Sequence, residues 1–197
     1  GGNNILALLT RLRQICITPE LIYQEHFDNT KIDMALELIK SSIDAGHRIL
    51  VFSQFSQSFP IISRELEQMG IKHFILDGST KAKVRLEMVE EFNNNTENKV
   101  FLISLKAGGT GLNLVGADMV IHLDPWWNSS AESQATDRAY RIGQTKNVNV
   151  VKLICKDTIE EKVLTLQNLK KDLADSIVSS DENKVKLTKN DILELLE

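Results

Sequence analysis

The chain has 197 residues, 42% of them hydrophobic, enough to bury one substantial core and a small appendage. Its formal charge of −4 argues against a generally basic protein that coats nucleic acid, although a net value leaves open where the basic side chains cluster. Two cysteines far apart in sequence, Cys16 and Cys155, and four scattered histidines offer neither a disulfide framework nor a zinc spacing, and no apolar run approaches the roughly 18 residues that span a bilayer.

The cysteine usage fits a reducing, cytosolic or nuclear setting, and Gly1-Gly2-Asn3-Asn4 is no signal peptide and reads as a cut from something longer. In chain order, "ILALLTRLRQIC" (residues 5–16) predicts an amphipathic helix leading to a turn at Pro19. Apolar Ile32, Leu36 and Ile39 predict a helix over 31–45, with Thr30 or Asn29 as N-cap and Gly46 just past its end. "RILVFS" follows, apolar on both faces as a central parallel strand is. A second helix carries Pro60 early, where its missing N–H is harmless, and ends at Gly70 before the strand "KHFILD". A third, "TKAKVRLEMVEEFN", precedes the strand "KVFLIS", and "DMVIHLD" and "VNVVKLI" supply two more strands. Strands alternating with helices predict an α/β fold with a doubly wound, open, mainly parallel sheet. Behind it, "TIEEKVLTLQNLKKDLADSIV" opens on a capping-box pattern, Thr158-x-x-Glu161, and carries an apolar stripe from Ile159 to Ile177. The expected organisation is a lead-in helix and turn at 1–28, the sheet lobe at 29–156, a long helix at 157–178, and a linker with a short C-terminal helix at 179–197.

In open α/β sheets, ligands bind beyond the carboxyl ends of the strands. That rule nominates residues 53–56, "DGST" from Asp77, the glycine loop "SLKAGGTGLNL" (104–114), "DPWWNSS", and the helix after it. The loop is no ATP-phosphate cradle: Gly111 is followed by Leu112 and Asn113 instead of Lys-Ser or Lys-Thr. Leu114 likewise stands where a dinucleotide loop needs its third glycine. "QATDRAYRIGQ" places Gln134, Arg138 and Arg141 at i, i+4 and i+7, lining one predicted helical face with groups suited to phosphoryl oxygens. Plainer readings stand beside these. Asp137 and Arg141 also make an i, i+4 surface pair worth about 0.3–0.5 kcal/mol. A glycine cluster can be a tight turn, and Trp126 and Trp127 can be one core anchor and one surface neighbour.

The combination points further. The run "VFLISLKAGGTGLNLVGADMVIHLDPWWNSSAESQATDRAYRIGQ" closely resembles the C-terminal motor lobe of Swi/Snf-type DNA-dependent ATPases in helicase superfamily two. "LTRLRQIC" is similar to that family's lead-in helix, "ILVFSQF" to its motif IV, "LDGST" to the motif after it, the glycine loop to motif V and "QATDRAYRIGQ" to motif VI. "TIEEKVLTLQNLKKDLADSIV" resembles its brace helix, and "LTKNDILELL" an ending found in compact members. Ser129 stands where the family commonly has Pro, and Thr18-Pro19 where it has His-Pro.

The resemblance implies a RecA-like helicase C-terminal lobe in an ATP-dependent double-stranded DNA translocase or remodeller. Arg138 and Arg141 would be its catalytic arginine fingers, and Gln134 and Gly111 would join them in touching ATP. Gln54, Gly78, Ser79, Lys106, Gly108, Gly109, Thr110 and Asn113 would touch the DNA backbone. It further implies ATP and Mg²⁺, with the metal held by an N-terminal lobe and by no residue of this chain. The partners implied are that lobe, double-stranded DNA and a DNA-bound complex as remodelling target, with no membrane. The location implied is the cytoplasm of a bacterium, on its DNA, or the nucleus of a eukaryote. Walker A and Walker B motifs do not occur in this stretch, so it is expected to be inactive alone. The rival readings are a non-catalytic interaction module with a nucleotide-binding type of fold, and an RNA- or DNA-unwinding lobe of the same superfamily.

Overall fold

The structure, a computed structural model, describes residues 2–28, 30–104, 112–140 and 143–177. In chain order these form α1 (Gly2–Ile17), α2 (Glu20–Tyr23), α3 (Lys31–Asp44), β1 (Ile49–Ser53), α4 (Phe59–Gln68), β2 (His73–Leu76), α5 (Ala82–Asn94), β3 (Val100–Ser104), β4 (Met119–His122), α6 (Ser129–Asp137), β5 (Asn149–Lys152) and α7 (Ile159–Ile177). The sheet runs β2-β3-β1-β4-β5 with every ladder parallel, as the alternation of strand and helix predicts.

Continuous apolar strands are the consequence of covering both faces. Ile49 and Val51, Val100 and Leu102, and Met119 and Ile121 pack with Ile17, Ala35, Ile39, Ile62 and Leu66 from α1, α3 and α4. The alternate residues Leu50, Phe52, Phe101, Ile103 and Val120 pack with Phe92 of α5 and with Trp126, Ala135 and Ala139. Neither face meets water, so a polar side chain on β1, β3 or β4 would lack a solvated side. The edge strands differ: β5 is largely exposed along its length.

Local chemistry sets the helix ends. Thr30 caps α3 with a reciprocal box, its N–H donating to Asp33 Oδ2 at 2.9 Å while the Asp33 N–H donates to Thr30 Oγ1 at 3.4 Å. Asn29, the other candidate cap, lies outside the described residues. Gly46 and Gly70 follow α3 and α4 at φ 87° and 71°, a region that an L side chain resists.

The start of α7 departs from the predicted box. The Thr158 hydroxyl accepts from the Glu160 N–H at 3.2 Å, and Glu160, not Glu161, turns inward. The reason is a buried cation: Lys31 Nζ donates to Glu160 Oε1, and both side chains are almost wholly enclosed. No described helix is long and apolar enough to cross a membrane.

Candidate functional site

The carboxyl ends of the strands carry a polar knot built around Asp124, two residues beyond β4. Its carboxylate is fully buried and accepts from the Ser53 hydroxyl at 2.5 Å and the Gln54 N–H at 3.3 Å. Arg13, reaching in from α1, lies 3.8 Å from Asp124, donates to Gln54 Oε1 and to the Pro125 carbonyl at 3.3 Å, and sits over the rings of Phe55 and Trp127. Burial pushes the Asp124 carboxyl up to about 6, with Ser53 and Arg13 pulling the other way. Burial also lowers the Arg13 guanidinium below its ordinary value.

The tryptophan pair divides as its plainer reading expects. Trp126 is buried edge-on to His122, with ring centroids 5.7 Å apart, and packs with Ala135 and Ala139. Trp127 is half-buried beside Arg13. His122 lies against Phe52 and meets the Thr136 hydroxyl at 3.0 Å, and burial holds its pKa down at about 4, so it is neutral at pH 7. Beneath the pair, the buried Glu132 accepts from Lys152, from Gln167 at 3.1 Å and from the Trp126 N–H at 3.4 Å. Gln167 also donates to the Trp126 carbonyl. One carboxylate thus joins α6, α7, β5 and the tryptophan loop.

The arginine helix is shorter than its spacing predicts. α6 ends at Asp137, and the N–H groups of Arg138 and Ala139 bond back three residues, to Ala135 at 3.2 Å and Thr136 at 3.1 Å. That tightened turn rotates the residues after Asp137 out of the α-helical register. Gln134 is exposed and borders a groove of about 710 Å³ shared with Asn128, Asp137, Lys152, Lys170 and Lys171. Arg138 is only 9% exposed. The two therefore do not share one solvent face, and Arg141 lies outside the described residues.

Backbone links join this turn to the exit of the glycine loop. The Leu114 N–H donates to the Arg138 carbonyl at 3.0 Å. Gln144 Nε2 reaches the carbonyls of Val115, Ala117 and Ala139 at 3.1, 2.7 and 3.0 Å. The loop residues Lys106, Gly108, Gly109, Thr110 and Gly111 lie outside the described residues.

Of the remaining candidates, Gly78 and Ser79 stand exposed in a tight turn after β2. There Asp77 Oδ1 accepts from the Ser79 N–H at 2.9 Å and its hydroxyl at 2.6 Å, and those bonds hold the Asp77 carboxyl below its usual range. Gln54, Gly78 and Ser79 are brought to the same end of the sheet, beyond β1 and β2. Asn113 is not: its carbonyl accepts from Asn93 at 2.7 Å, in the last turn of α5, where the chain descends towards the start of β4. Arg13, Asp124 and Gln144 fall inside the quoted motifs without a role being assigned to them, and Glu132 falls among none of the candidates. Only the Asp-Pro step before the tryptophans hints at the buried carboxylate, and nothing local tells Arg13 from a surface arginine.

Comparison with known proteins places these features in a group. The family described as helicase conserved C-terminal domain matches residues 30–143. An uncharacterized ATP-dependent helicase of Mycoplasma genitalium is 40% identical over 196 residues, covering 98% of this chain and 19% of that protein. The human chromatin-remodeling ATPase INO80 is 40% identical over 148 residues, or 75% of this chain and 9% of that one. Among solved structures, the SWI2/SNF2 ATPase core of Sulfolobus solfataricus in complex with double-stranded DNA aligns with a TM-score of 0.73 at 37% identity, over 89% of this chain and 38% of that one. The chain spans about a fifth of the length of the Mycoplasma relative.

Proposed function

The chain belongs to the helicase conserved C-terminal domain family, as a C-terminal lobe of the Snf2 type, and from that premise we propose that it is the second motor lobe of an ATP-dependent translocase on double-stranded DNA. ATP would be gripped by an N-terminal lobe and approached across a cleft by Arg138 and Arg141, with Gly111 alongside and Gln134, on a different face of α6, further out. Phosphoryl transfer of this kind is mainly positioning plus stabilisation of charge on the γ-phosphoryl oxygens. A guanidinium already enclosed by the fold, as that of Arg138 is, needs little reorganisation when charge develops.

DNA would lie along the carboxyl ends of β1 and β2, touched by Gln54, Gly78 and Ser79, with the donors of Lys106, Gly108, Gly109 and Thr110 completing the strand contact, while Asn113, held by Asn93 at the far end of α5, would stand apart from it. These are backbone contacts, so binding should ignore sequence and weaken steeply as salt rises.

The observation that carries the reading is the Leu114–Arg138 hydrogen bond with the Gln144 clamp. These bonds tie the segment that leaves the glycine loop to the turn at Arg138, and through them closure at ATP would be felt at DNA. In the intact protein, Arg141→Ala is expected to lower DNA-stimulated ATP turnover by roughly 10³-fold or more while leaving duplex binding within a few-fold. Turnover near the wild-type rate would remove the catalytic assignment, and loss of both properties together would point to misfolding of the turn.

A further inference from the structure

Cys16 and Cys155 read as unrelated in sequence, and the fold overturns that. α1 ends beside the connection between β5 and α7, and there the Cys155 thiol donates to the Cys16 carbonyl at 3.2 Å. Both cysteines are half-buried, so a small solute can reach them. The third member is Glu160, wholly buried in the first turn of α7. Its Oε1 is occupied by Lys31 Nζ and by the Cys155 N–H at 2.9 Å, whereas Oε2 is buried with no hydrogen-bond partner among the described residues. The two sulfurs and a carboxylate oxygen lie within 4.8 Å of one another.

A buried carboxylate oxygen without a donor is costly, and native folds seldom leave one. Two thiolates and a carboxylate are ligand types that Zn²⁺ accepts, and a tetrahedral zinc holds its sulfurs roughly 3.8 Å apart, a spacing compatible with ligand atoms that all lie within 4.8 Å of one another. The charges also match: two thiolates and Glu160 against Lys31 leave two negative charges for a divalent ion.

We propose that Cys16, Cys155 and Glu160 form a binding site for one divalent cation of the zinc class, which clips α1 to the root of α7. A solvent molecule would complete the coordination from the half-exposed side. A disulfide between the same sulfurs would use neither the unpartnered oxygen nor the charge pattern, so the metal is favoured. The site lies at the junction of the two helices that flank the sheet, and loading it would stiffen the frame on which Arg13 is mounted.

Co²⁺ serves as the probe, added to the intact protein after chelator treatment and reduction with a thiol-free phosphine under argon. A thiolate-to-cobalt charge-transfer absorption is expected to grow to one equivalent and to vanish when Zn²⁺ is added. Cys16→Ser and Cys155→Ser should each abolish that band and weaken cobalt binding by roughly tenfold or more, with far-UV circular dichroism unchanged. Absence of the band from the wild-type protein, or its survival in both variants, would overturn the proposal. So would peptide mapping that finds a Cys16–Cys155 disulfide in a protein that takes up no cobalt once reduced.

Discussion

Two arginines are buried against opposite ends of the same sheet and are satisfied in opposite ways. Arg48, just before β1, donates to the carbonyls of Phe92, Asn95, Asn98 and Gly116 and lies 4.2 Å from the centroid of the Phe92 ring. Asp118 is the acid beside it, accepting from its backbone N–H at 2.9 Å. Arg13, at the carboxyl ends, is shared between a carboxylate, a glutamine amide and two aromatic faces, and its buried Nε has no hydrogen-bond partner among the described residues. A cation closed over carbonyls has no better arrangement to move to. One that holds a titratable group and a half-buried amide can be rearranged by a ligand competing for that amide. The amino end of this sheet is a fastening, and the carboxyl end an adjustable one, which is where α/β folds of this kind place their ligands.

The sharpest way to break that contrast is to remove each guanidinium. Arg48→Met takes the guanidinium donors from four carbonyls, two of them buried, and is expected to cost about 3–5 kcal/mol in urea unfolding. Arg13→Met is expected to cost less, roughly 1–3 kcal/mol, because Asp124 can take up a proton in place of its partner. If Arg13→Met proved the more damaging of the two, the distinction between fastening and adjustable end would fail.

Next in size is a pH effect. Asp124 is raised from 3.8 to about 6 on folding, so the folded state holds its proton more tightly than the unfolded chain. Its contribution to stability is complete below about 3.8 and is lost as pH rises through about 6, a change on the order of 3 kcal/mol. Asp124→Asn should therefore gain on the wild type by that order between pH 4 and 7, as read from unfolding midpoints. A constant difference across that range would show that Asp124 does not titrate with folding. His122 acts in the other direction: its folded pKa of about 4 gives stability that is present above 6.5 and lost as pH falls. It contributes equally to both proteins, so the difference isolates Asp124.

The smallest effect tests the fastened end alone. A Cβ on Gly116 would lie 2.7 Å from Arg48 Nη1 and 3.0 Å from Asn93 Oδ1, side chains that their own hydrogen bonds hold in place. Gly116→Ala is expected to cost about 1–2 kcal/mol by thermal melting and to leave duplex binding by the intact protein unchanged. No loss of stability would mean that the Arg48 clamp yields easily.

Much of the fold is legible from local pattern. The doubly apolar runs of β1, β3 and β4 announce strands covered on both faces, and Thr30, Pro60, Gly46 and Gly70 mark helix boundaries through their own backbone chemistry. The site was legible in part. The rule of carboxyl ends leads to Gln54, Gly78 and Ser79, but helical periodicity carries α6 too far. Whether the turn at Arg138 tightens depends on Leu114 arriving from another segment to take its carbonyl, which no spacing encodes.

By itself the sequence determined the order of strands and helices, those ends that carry their own cap or glycine, and the family to which the chain belongs, because propensity, capping and apolar period act within a few residues. Only the tertiary structure decided that Arg13 meets Asp124, that Glu132 joins the tryptophan loop to α7, and that Cys16 lies against Cys155. Those encounters join residues up to 139 positions apart. Burial and charge pairing act between whatever side chains the packed layers bring together, and that proximity exists only once the sheet has formed and both its faces are covered.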